Sequence, residues 1–303
     1  MTATAAAGPA AGAVAAVVVN YNAARHLGAC VASLANNGVE VTVVVDNGSV
    51  DDSQAVARAG GALWLDAGAN LGYGRAANLG AGVDAVAAAP YLLVCNPDVE
   101  LAGGSVAALA AALAADPGLG AVGPAVRNPD GSLYPSARTF PDLLDALGHG
   151  LLGSVAPWNR FTRRYRLLDW DHRDAAHVDW VSGSCFLVRR EAWDQVRGFD
   201  PSYFMYMEDV DLCWRLGKEG WGIGYVPEAE VVHVQGVSAD RHPYRMLAAH
   251  HRSMWRFAVR STAGARRAAL PVVAVGLAGR LAVSAAQRAL AGAGHGSPPR
   301  PLP

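Results

Sequence analysis

The sequence has few cysteines and almost no net charge, and each shortage excludes a class of protein. Its 303 residues include four cysteines, which are scattered without the paired spacing of metal ligands. We expect small buried thiols in a reducing compartment at Cys30, Cys95, Cys185 and Cys213. A formal charge of -1 argues against a nucleic-acid-binding protein, because neutralising phosphates requires a strongly basic face.

The sequence also lacks the short motifs of several enzyme classes and of secretion. It contains no Walker motif, no nucleophile elbow and no dinucleotide fingerprint after the first predicted strand. Residues 1–12 carry no basic segment ahead of an apolar core, so we interpret them as a disordered leader and not a signal peptide. Hydrophobic residues make up 52% of the chain, which is ample for a large core.

Apolar runs alternate with helical patterns over the first 115 residues. Strands are predicted at residues 13–19, 41–45, 63–65 and 91–95, and helices at residues 24–34, 75–88 and 101–115. Polar side chains follow the strands, as at Asn20, Asp46 and Asn96. This pattern predicts an open α/β sheet, mostly parallel, whose crevice lies at the carboxyl ends of the strands.

The regular alternation stops in the second half of the chain. Residues 123–170 are rich in Pro, Gly, Arg and aromatic residues, so we interpret them as long loops over the active face. Further strands are predicted at residues 178–188, 222–226 and 230–234, with a break at 182–184 in the first. Helices are predicted at residues 191–196 and 211–219.

The C-terminal segment differs in character from the rest. Residues 268–290 are apolar and Ala-rich, but Pro271 and Arg280 interrupt the run, and a membrane crossing needs about 20 apolar residues. An interfacial or peripheral helix fits better, and the arginines of residues 252–267 suit anionic lipid or diphosphate. A helix packed on the domain and a homodimer contact stay open as alternatives. The predicted division is a leader at 1–12, a globular domain at 13–260 and an extension at 261–303.

Three carboxylates, Glu208, Asp209 and Asp211, follow the apolar and aromatic residues 203–207. Large apolar side chains exclude water, which raises carboxyl pKa values and suits a proton acceptor near neutral pH. A solvated helix N-terminus is the alternative, since acids there favour the helix dipole. The segment alone does not decide between the two.

Two further residues are candidates for a metal site. Asp98 lies in Asn96-Pro97-Asp98 after a predicted buried strand, although this is also an ordinary turn sequence. His233 lies in an apolar strand, where a histidine is more often part of the core. An Asp and a His that converge on one divalent ion favour Mn²⁺ or Mg²⁺.

A glycine-rich stretch, residues 70–78, is the other candidate for a ligand site. Its glycines allow a ligand to approach the backbone closely, and Arg75 supplies a fork for phosphate. Asp46 at a strand end would complete this half of the crevice.

Taken in order, these segments resemble family 2 glycosyltransferases. The resemblance covers about residues 14–256. Within the family, the chain resembles most the branch of rhamnosyltransferases that extend polyprenyl-diphosphate-linked GlcNAc in actinobacterial cell-wall assembly. It is carried by Asn20-Tyr21-Asn22, Asp46-Asn47-Gly48-Ser49, Asn70-Leu71-Gly72-Tyr73-Gly74, Asn78, Asn96-Pro97-Asp98, Gly198-Phe199-Asp200, Glu208-Asp209-Val210-Asp211-Leu212 and His233.

The resemblance implies a GT-A fold and an inverting, metal-dependent transfer from a nucleotide sugar, best matched by dTDP-β-L-rhamnose. It places Asp209 as general base, with Glu208 and Asp211 orienting it or the acceptor. Asp98 and His233 would hold Mn²⁺ or Mg²⁺, and Asn96 replaces the first acid of the family's metal motif. The donor side would be Asn20, Tyr21, Asp46, Asn70, Gly72, Arg75, Asn78 and Asn96, and the acceptor side Trp180, Ser182 and Gly183.

Several alternatives stay open at this point. The last three residues fit a core aromatic and a tight turn equally well. The donor could be a UDP-hexose or another dTDP-deoxysugar, because nothing in the residues reads the base or the sugar hydroxyls. More remote alternatives are a glycoside hydrolase, which would need no metal, and a non-catalytic sugar-binding module.

Overall fold

A computed structural model describes residues 13–140, 158–160, 163, 167, 169–234 and 243–293. The predicted leader, the polar segment 235–238 and the tail after 293 lie outside the described residues. So does most of the stretch 141–168.

The first half of the chain alternates strands and helices, as predicted. The strands are β1 (Val14–Asn20), β2 (Val41–Asp46), β3 (Leu63–Asp66), β4 (Tyr91–Cys95) and β5 (Val99–Leu101). The helices are α1 (Ala24–Asn36), α2 (Ser53–Ala59), α3 (Tyr73–Ala81), α4 (Asp84–Ala87) and α5 (Ser105–Ala115). β1 and β4 are buried along their whole length, because helices cover both faces of the sheet. Gly82 ends α3, so the single helix predicted at 75–88 is two helices.

The second half adds further strands and two helices of the domain. The strands are β6 (Leu119–Arg127), β7 (Leu133–Tyr134), β8 (Ala137–Arg138), β9 (Ala176–Val178), β10 (Trp180–Val181), β11 (Cys185–Arg189) and β12 (Gly222–His233). The helices are α6 (Arg190–Val196) and α7 (Glu208–Lys218). β12 joins the two strands predicted at 222–226 and 230–234, with a register shift between Val226 and Glu230.

The main sheet has the strand order β3-β2-β1-β4-β11-β6-β12-β5. The pairs among β1 to β4 are parallel, while β11 runs antiparallel to both its neighbours. Two apolar clusters, one on each face of the sheet, form the core. The predicted fold class, a mixed and mostly parallel α/β sheet flanked by helices, is confirmed. The four cysteines are buried and free, as predicted.

The interpretation of residues 123–170 as loops was wrong over its first part. β6 is a nine-residue strand, nearly all buried, that pairs with both β11 and β12. Its glycines and Pro124 weaken the strand signal in the sequence. Gly123 is required by packing, because a Cβ there would lie 2.6 Å from the Cβ of Val181. Tertiary packing therefore overrides local propensity here.

Two long helices form the C-terminal part of the described chain. α8 (Pro243–Ser261) and α9 (Leu270–Ala293) are joined by a 3₁₀ turn at Gly264–Ala269. The helical stretch Gly264–Arg288 is long and apolar enough to cross a membrane, with mean hydropathy 1.7 and 11% of its most apolar window buried. Its exposed apolar side chains include Val272, Val275 and Val283, which are 59%, 74% and 54% exposed.

Candidate active site

Asp98 and His233 lie together at the edge of the sheet. The end of β12 pairs antiparallel with β5, which begins directly after Asp98, so His233 returns to the Asn-Pro-Asp turn. His233 Nε2 is 3.2 Å from Asp98 Oδ1 and 3.2 Å from Asn96 Nδ2. Both side chains of the Asp–His pair are largely buried, with 6% and 12% exposed.

This pair fits a divalent cation that keeps part of its coordination shell for other ligands. Within the described ranges no cluster of three or more His, Cys, Asp or Glu could hold a metal ion. Mg²⁺ and similar ions are commonly held by one or two protein carboxylates, with substrate phosphates and water completing the shell. The protein would thus supply a carboxylate oxygen and an imidazole nitrogen, a set that also suits Mn²⁺.

The turn after β2 is organised by Asp46. Its Oδ1 accepts hydrogen bonds from Asn20 Nδ2 at 2.9 Å and from the Ser49 hydroxyl, and its Oδ2 accepts from the backbone of Gly48 and Ser49 at 3.2 and 2.8 Å. These bonds use the four lone-pair directions of the carboxylate. A direct bond from Asp46 to a nucleotide base would have to replace one of them. Tyr21 lies half-buried beside this turn.

The glycine-rich stretch contacts the segment that precedes the three acids. Gly72 has φ +85°, and a Cβ there would lie 2.1 Å from the carbonyl oxygen of Phe204. The next residue, Tyr73, donates its backbone N–H to that oxygen at 3.1 Å. Asn78 donates to the carbonyl of Phe199 at 2.8 Å and accepts from its N–H at 2.9 Å. Glycine is required at position 72 because only glycine adopts this backbone freely and leaves room for the approach.

Two other predicted donor residues also make internal contacts. Arg75 is exposed and donates from Nε to the carbonyl of Pro201 at 2.6 Å, which leaves the ends of its guanidinium for other partners. Asn70 accepts from the backbone of Gly72 at 3.0 Å and so shapes the glycine turn. The glycine-rich stretch therefore joins the predicted donor side to the segment before the predicted catalytic acids.

Glu208 and Asp209 are neighbours in the first turn of α7, where Glu208 is buried and Asp209 is half-buried. Burial and the negative charge of Asp209 raise the pKa of Glu208 to about 8. Burial also raises the pKa of Asp209, while bonds from the backbone of Gly183 and Val210 and the positive charge of Arg138 oppose that rise. Gly183 N donates to Asp209 Oδ2 at 2.9 Å, whereas Glu208 Oε2 is buried without a hydrogen-bond partner. The acids begin a helix, as one interpretation held, but this helix N-terminus is desolvated and not solvated.

Asp211 faces a different direction from Asp209. Residues two apart on a helix do not share a face. Asp211 is fully buried and accepts a bond from Arg215 Nε at 2.6 Å, with Arg260 of α8 at 3.3 Å and the Tyr203 hydroxyl at 3.4 Å. It is therefore placed to hold α7 against α8 and not to touch an acceptor.

The predicted acceptor-side residues lie on a small sheet beside Asp209. β10 pairs with β8, which sets Trp180 opposite Arg138. The Trp180 indole N–H donates to the carbonyl of Thr139 at 2.9 Å, and only 6% of the residue is exposed. Ser182 donates its backbone N–H to Ser136 at 2.8 Å. Trp180 thus has the contacts of a core aromatic, and its predicted acceptor role stays a prediction.

Gly183 connects the two sides of the site. Its neighbour Ser184 accepts the backbone N–H of Asn96 at 2.9 Å, next to the Asp98–His233 pair. Its own N–H reaches Asp209, and its carbonyl accepts the hydroxyl of Tyr73 at 2.5 Å. One turn thereby fixes the spacing between the candidate metal ligands and the candidate base.

Sequence reasoning missed Tyr73 and Arg138. Tyr73 lies inside the glycine-rich motif, so a signal was present there. Arg138 lies in a Pro-rich stretch with many arginines, and no pattern distinguishes it from the others. In the structure Arg138 is 7% exposed, donates to Tyr134 and Pro135 at 2.8 Å each, and has its guanidinium 5.1 Å from the Trp180 ring.

Comparison with known proteins gives both a family match and a similar relative. The family model described as "Glycosyltransferase like family 2" matches residues 9–262. The N-acetylglucosaminyl-diphospho-decaprenol L-rhamnosyltransferase of Mycobacterium tuberculosis (strain ATCC 25618 / H37Rv) is 45% identical over 267 residues. That match covers 84% of this chain and 86% of the relative.

Solved structures with a similar fold include two that were determined with a nucleotide or nucleotide sugar. The mannosyltransferase PcManGT from Pyrobaculum calidifontis, in complex with GDP-Man and Mn²⁺, has a TM-score of 0.53 at 17% identity, covering 94% of this chain and 76% of that one. GalNAc-T7 with UDP, GalNAc and Mn²⁺ has a TM-score of 0.54 at 16% identity, covering 73% and 43%. At these identities the likeness establishes the fold.

Proposed function

Because the chain belongs to glycosyltransferase family 2, we propose that it transfers L-rhamnose from dTDP-β-L-rhamnose to the GlcNAc of a polyprenyl-diphosphate-linked acceptor in cell-envelope assembly. Its mixed sheet and the solved structures it resembles identify the expected GT-A fold. The observation that carries the proposal is the 45% identity, over 84% of this chain, to the mycobacterial rhamnosyltransferase. Family membership makes the chain a glycosyltransferase, and the donor and acceptor are the proposal.

In the proposed reaction Asp209 removes the proton of the attacking acceptor hydroxyl. A half-buried carboxylate with a raised pKa is matched to this task near neutral pH. The bond from Gly183 orients Asp209, and Glu208 holds a proton beside it. A single displacement at the anomeric carbon inverts a β donor, so the product is an α-L-rhamnoside.

Asp98 and His233 are the residues that would hold the divalent ion, Mn²⁺ or Mg²⁺. When bound there, the ion supplies charge stabilisation for the departing nucleoside diphosphate. Asn96 keeps His233 in place through its side-chain contact at 3.2 Å. The segment shaped by Asp46 and the glycine turn at Gly72 would surround the rest of the donor.

Turnover of defined donors tests the proposed function. The chain should release dTDP from dTDP-β-L-rhamnose when a GlcNAc-diphosphate prenyl ester is present, and much less from UDP-hexoses or other dTDP-deoxysugars. Chelation by EDTA should abolish release. Faster turnover of a UDP-hexose would replace the proposed donor, and sugar release without nucleotide, unaffected by EDTA, would indicate a glycoside hydrolase.

Arg138→Met should move the acidic limb of the kcat/KM profile to higher pH. The positive charge of Arg138 lowers the pKa of Asp209, so its removal lets that pKa rise. The base must be ionised to act, and activity at pH 6 should therefore fall more than activity at pH 8. Arg138→Lys keeps the charge and should restore much of the original profile, whereas an equal loss at every pH would assign Arg138 a purely structural role.

The second part of the proposal is that α9 and the 3₁₀ turn lie on the cytoplasmic membrane surface. Their exposed valines face away from the domain, and the arginines at 266, 267, 280 and 288 are accompanied by no Asp or Glu between residues 241 and 303. Apolar burial together with cationic side chains favours anionic bilayers. A lipid-linked acceptor would be met at the same surface.

Aspartate at Val275 and Val283 should reduce binding to phosphatidylglycerol vesicles. Charges on an inserted face oppose burial, so we expect at least about a tenfold loss in the fraction sedimented with vesicles. Val50→Asp is the control, since Val50 is also an exposed valine, at 88%, but lies far from α9 in the sequence. Equal sedimentation of the double variant and the control would contradict the membrane contact and favour packing or dimerisation.

A further inference from the structure

A cluster of basic side chains lies where α8, α9 and the segment before α7 meet. The rings of His250 and Tyr206 are 4.8 Å apart, and those of His250 and His251 are 5.9 Å apart. Arg280 of α9 is close enough for its charge to act on both histidines. We call His250, His251 and Arg280 the basic cluster.

His251 leaves one buried nitrogen without a partner. Its Nδ1 is 2.9 Å from the carbonyl of Leu247, so Nδ1 carries a hydrogen and donates to that oxygen. Its Nε2 is buried without a hydrogen-bond partner, and the residue is 6% exposed. A buried nitrogen without a hydrogen-bond partner costs free energy unless a ligand forms a hydrogen bond to it.

The charges around the cluster favour an anion as that ligand. Burial, then the nearby His251 and Arg280, lower the pKa of His250 to about 4, and burial and Arg280 lower that of His251. Neither α8 nor α9 contains an Asp or Glu. An arriving phosphate would offset the repulsion, and a protonated His251 would then donate from Nε2.

The cluster is also joined directly to the segment that carries the acids. Ser253 of α8 donates to the carbonyl of Met205 at 3.0 Å. Tyr206 and Met207 both have φ +66°, a backbone conformation that non-glycine residues hold only when surrounding contacts impose it. Tyr206 is three residues before Asp209, which is at most about 11 Å of chain. The cluster therefore packs against the segment that leads into Asp209.

We propose that the basic cluster binds the diphosphate of the lipid-linked acceptor and so places its sugar hydroxyl at Asp209. This inference rests on the proposed function, because it requires an acceptor with a diphosphate. It assigns the junction of α8 and α9 to acceptor binding, between the membrane-facing α9 and the catalytic acids. Binding should take up a proton, since the free histidines are neutral at pH 7.

Calorimetry with a short-chain prenyl-diphosphate-GlcNAc ester tests the inference. The diphosphate of this ester does not titrate between pH 6 and pH 8, so a change of Kd with pH reports on the protein. We expect tighter binding at pH 6 than at pH 8, with net proton uptake measured from buffer-dependent enthalpies. Wild-type binding without proton uptake or pH dependence would overturn the proposal, and this result needs no variant.

Variants locate the site. Arg280→Met should raise the Kd of the ester about tenfold, and His251→Gln should abolish the pH dependence. Arg267→Met is the control for general charge, because Arg267 is exposed in the 3₁₀ turn. Equal weakening by Arg267→Met would overturn the proposal. Binding of dTDP-rhamnose checks that each variant is folded. If the protein binds the ester but transfers no rhamnose to it, the proposed donor is wrong, while the proposed binding site for the diphosphate is still supported.

Discussion

Replacing Asp209 with asparagine is expected to lower kcat about 10²–10⁴-fold, the range that a general base contributes. Asparagine keeps the shape of the side chain and can still accept the hydrogen bond from Gly183, which is 2.9 Å long in the wild type. It cannot take a proton from the acceptor hydroxyl. Release of nucleoside diphosphate in the presence of acceptor measures the loss, and calorimetry with the nucleotide sugar should give a nearly unchanged Kd.

Glu208→Gln is the matched control for this substitution. Because the pKa of Glu208 is about 8, this side chain is mostly protonated at pH 7, and glutamine resembles its neutral form. We expect a much smaller loss of kcat and an acidic limb that keeps its position, because Asp209 ionises before Glu208 and so already has a neutral neighbour in that pH range. If Glu208→Gln were inactive while Asp209→Asn stayed active, Glu208 would be the base.

The sequence was most informative about the first half of the fold. The buried strands β1 and β4 are continuous apolar runs, so their position and parallel arrangement follow from hydrophobic pattern alone. β6 could not be found in this way, because Gly123 and Pro124 both have low strand propensity. Glycine at position 123 is explained by its close packing against Val181, which local sequence does not reveal. Local sequence patterns cannot identify a residue that is required by its packing against a distant part of the chain.

The same limit applies to the candidate site. The sequence placed Glu208, Asp209 and Asp211 in one group, and helical geometry separates them, with Asp211 paired to Arg215 and Arg260. Likewise, no spacing rule connects Asn78 to Phe199, which are 121 residues apart and exchange two hydrogen bonds. Residue types at strand ends predict which chemistry is present, while the role of each residue depends on contacts between distant segments.

Replacing Asp98 with asparagine should remove metal-supported donor binding, the second large effect. The carboxylate lies 3.2 Å from His233 Nε2, and these two are the side chains proposed to hold the ion. Loss of a residue that hydrogen-bonds to a metal ligand commonly lowers metal affinity about 10–100-fold, so loss of a direct ligand should lower it at least about 100-fold. Titration of Mn²⁺ by electron paramagnetic resonance, with dTDP present, measures this affinity independently of turnover.

Asn96→Asp provides the converse test at the neighbouring position. Asn96 replaces a carboxylate of the family's metal motif, and its side chain already lies 3.2 Å from His233 Nε2. A second carboxylate should tighten Mn²⁺ binding, because hard cations prefer charged oxygen ligands. Asp84→Asn, on the short helix α4, controls for general charge. Mn²⁺ affinity that is unchanged in both Asp98→Asn and Asn96→Asp would remove the metal from this corner of the sheet. The departing diphosphate would then need another source of positive charge, for which the exposed Arg75 of the glycine-rich stretch is a candidate.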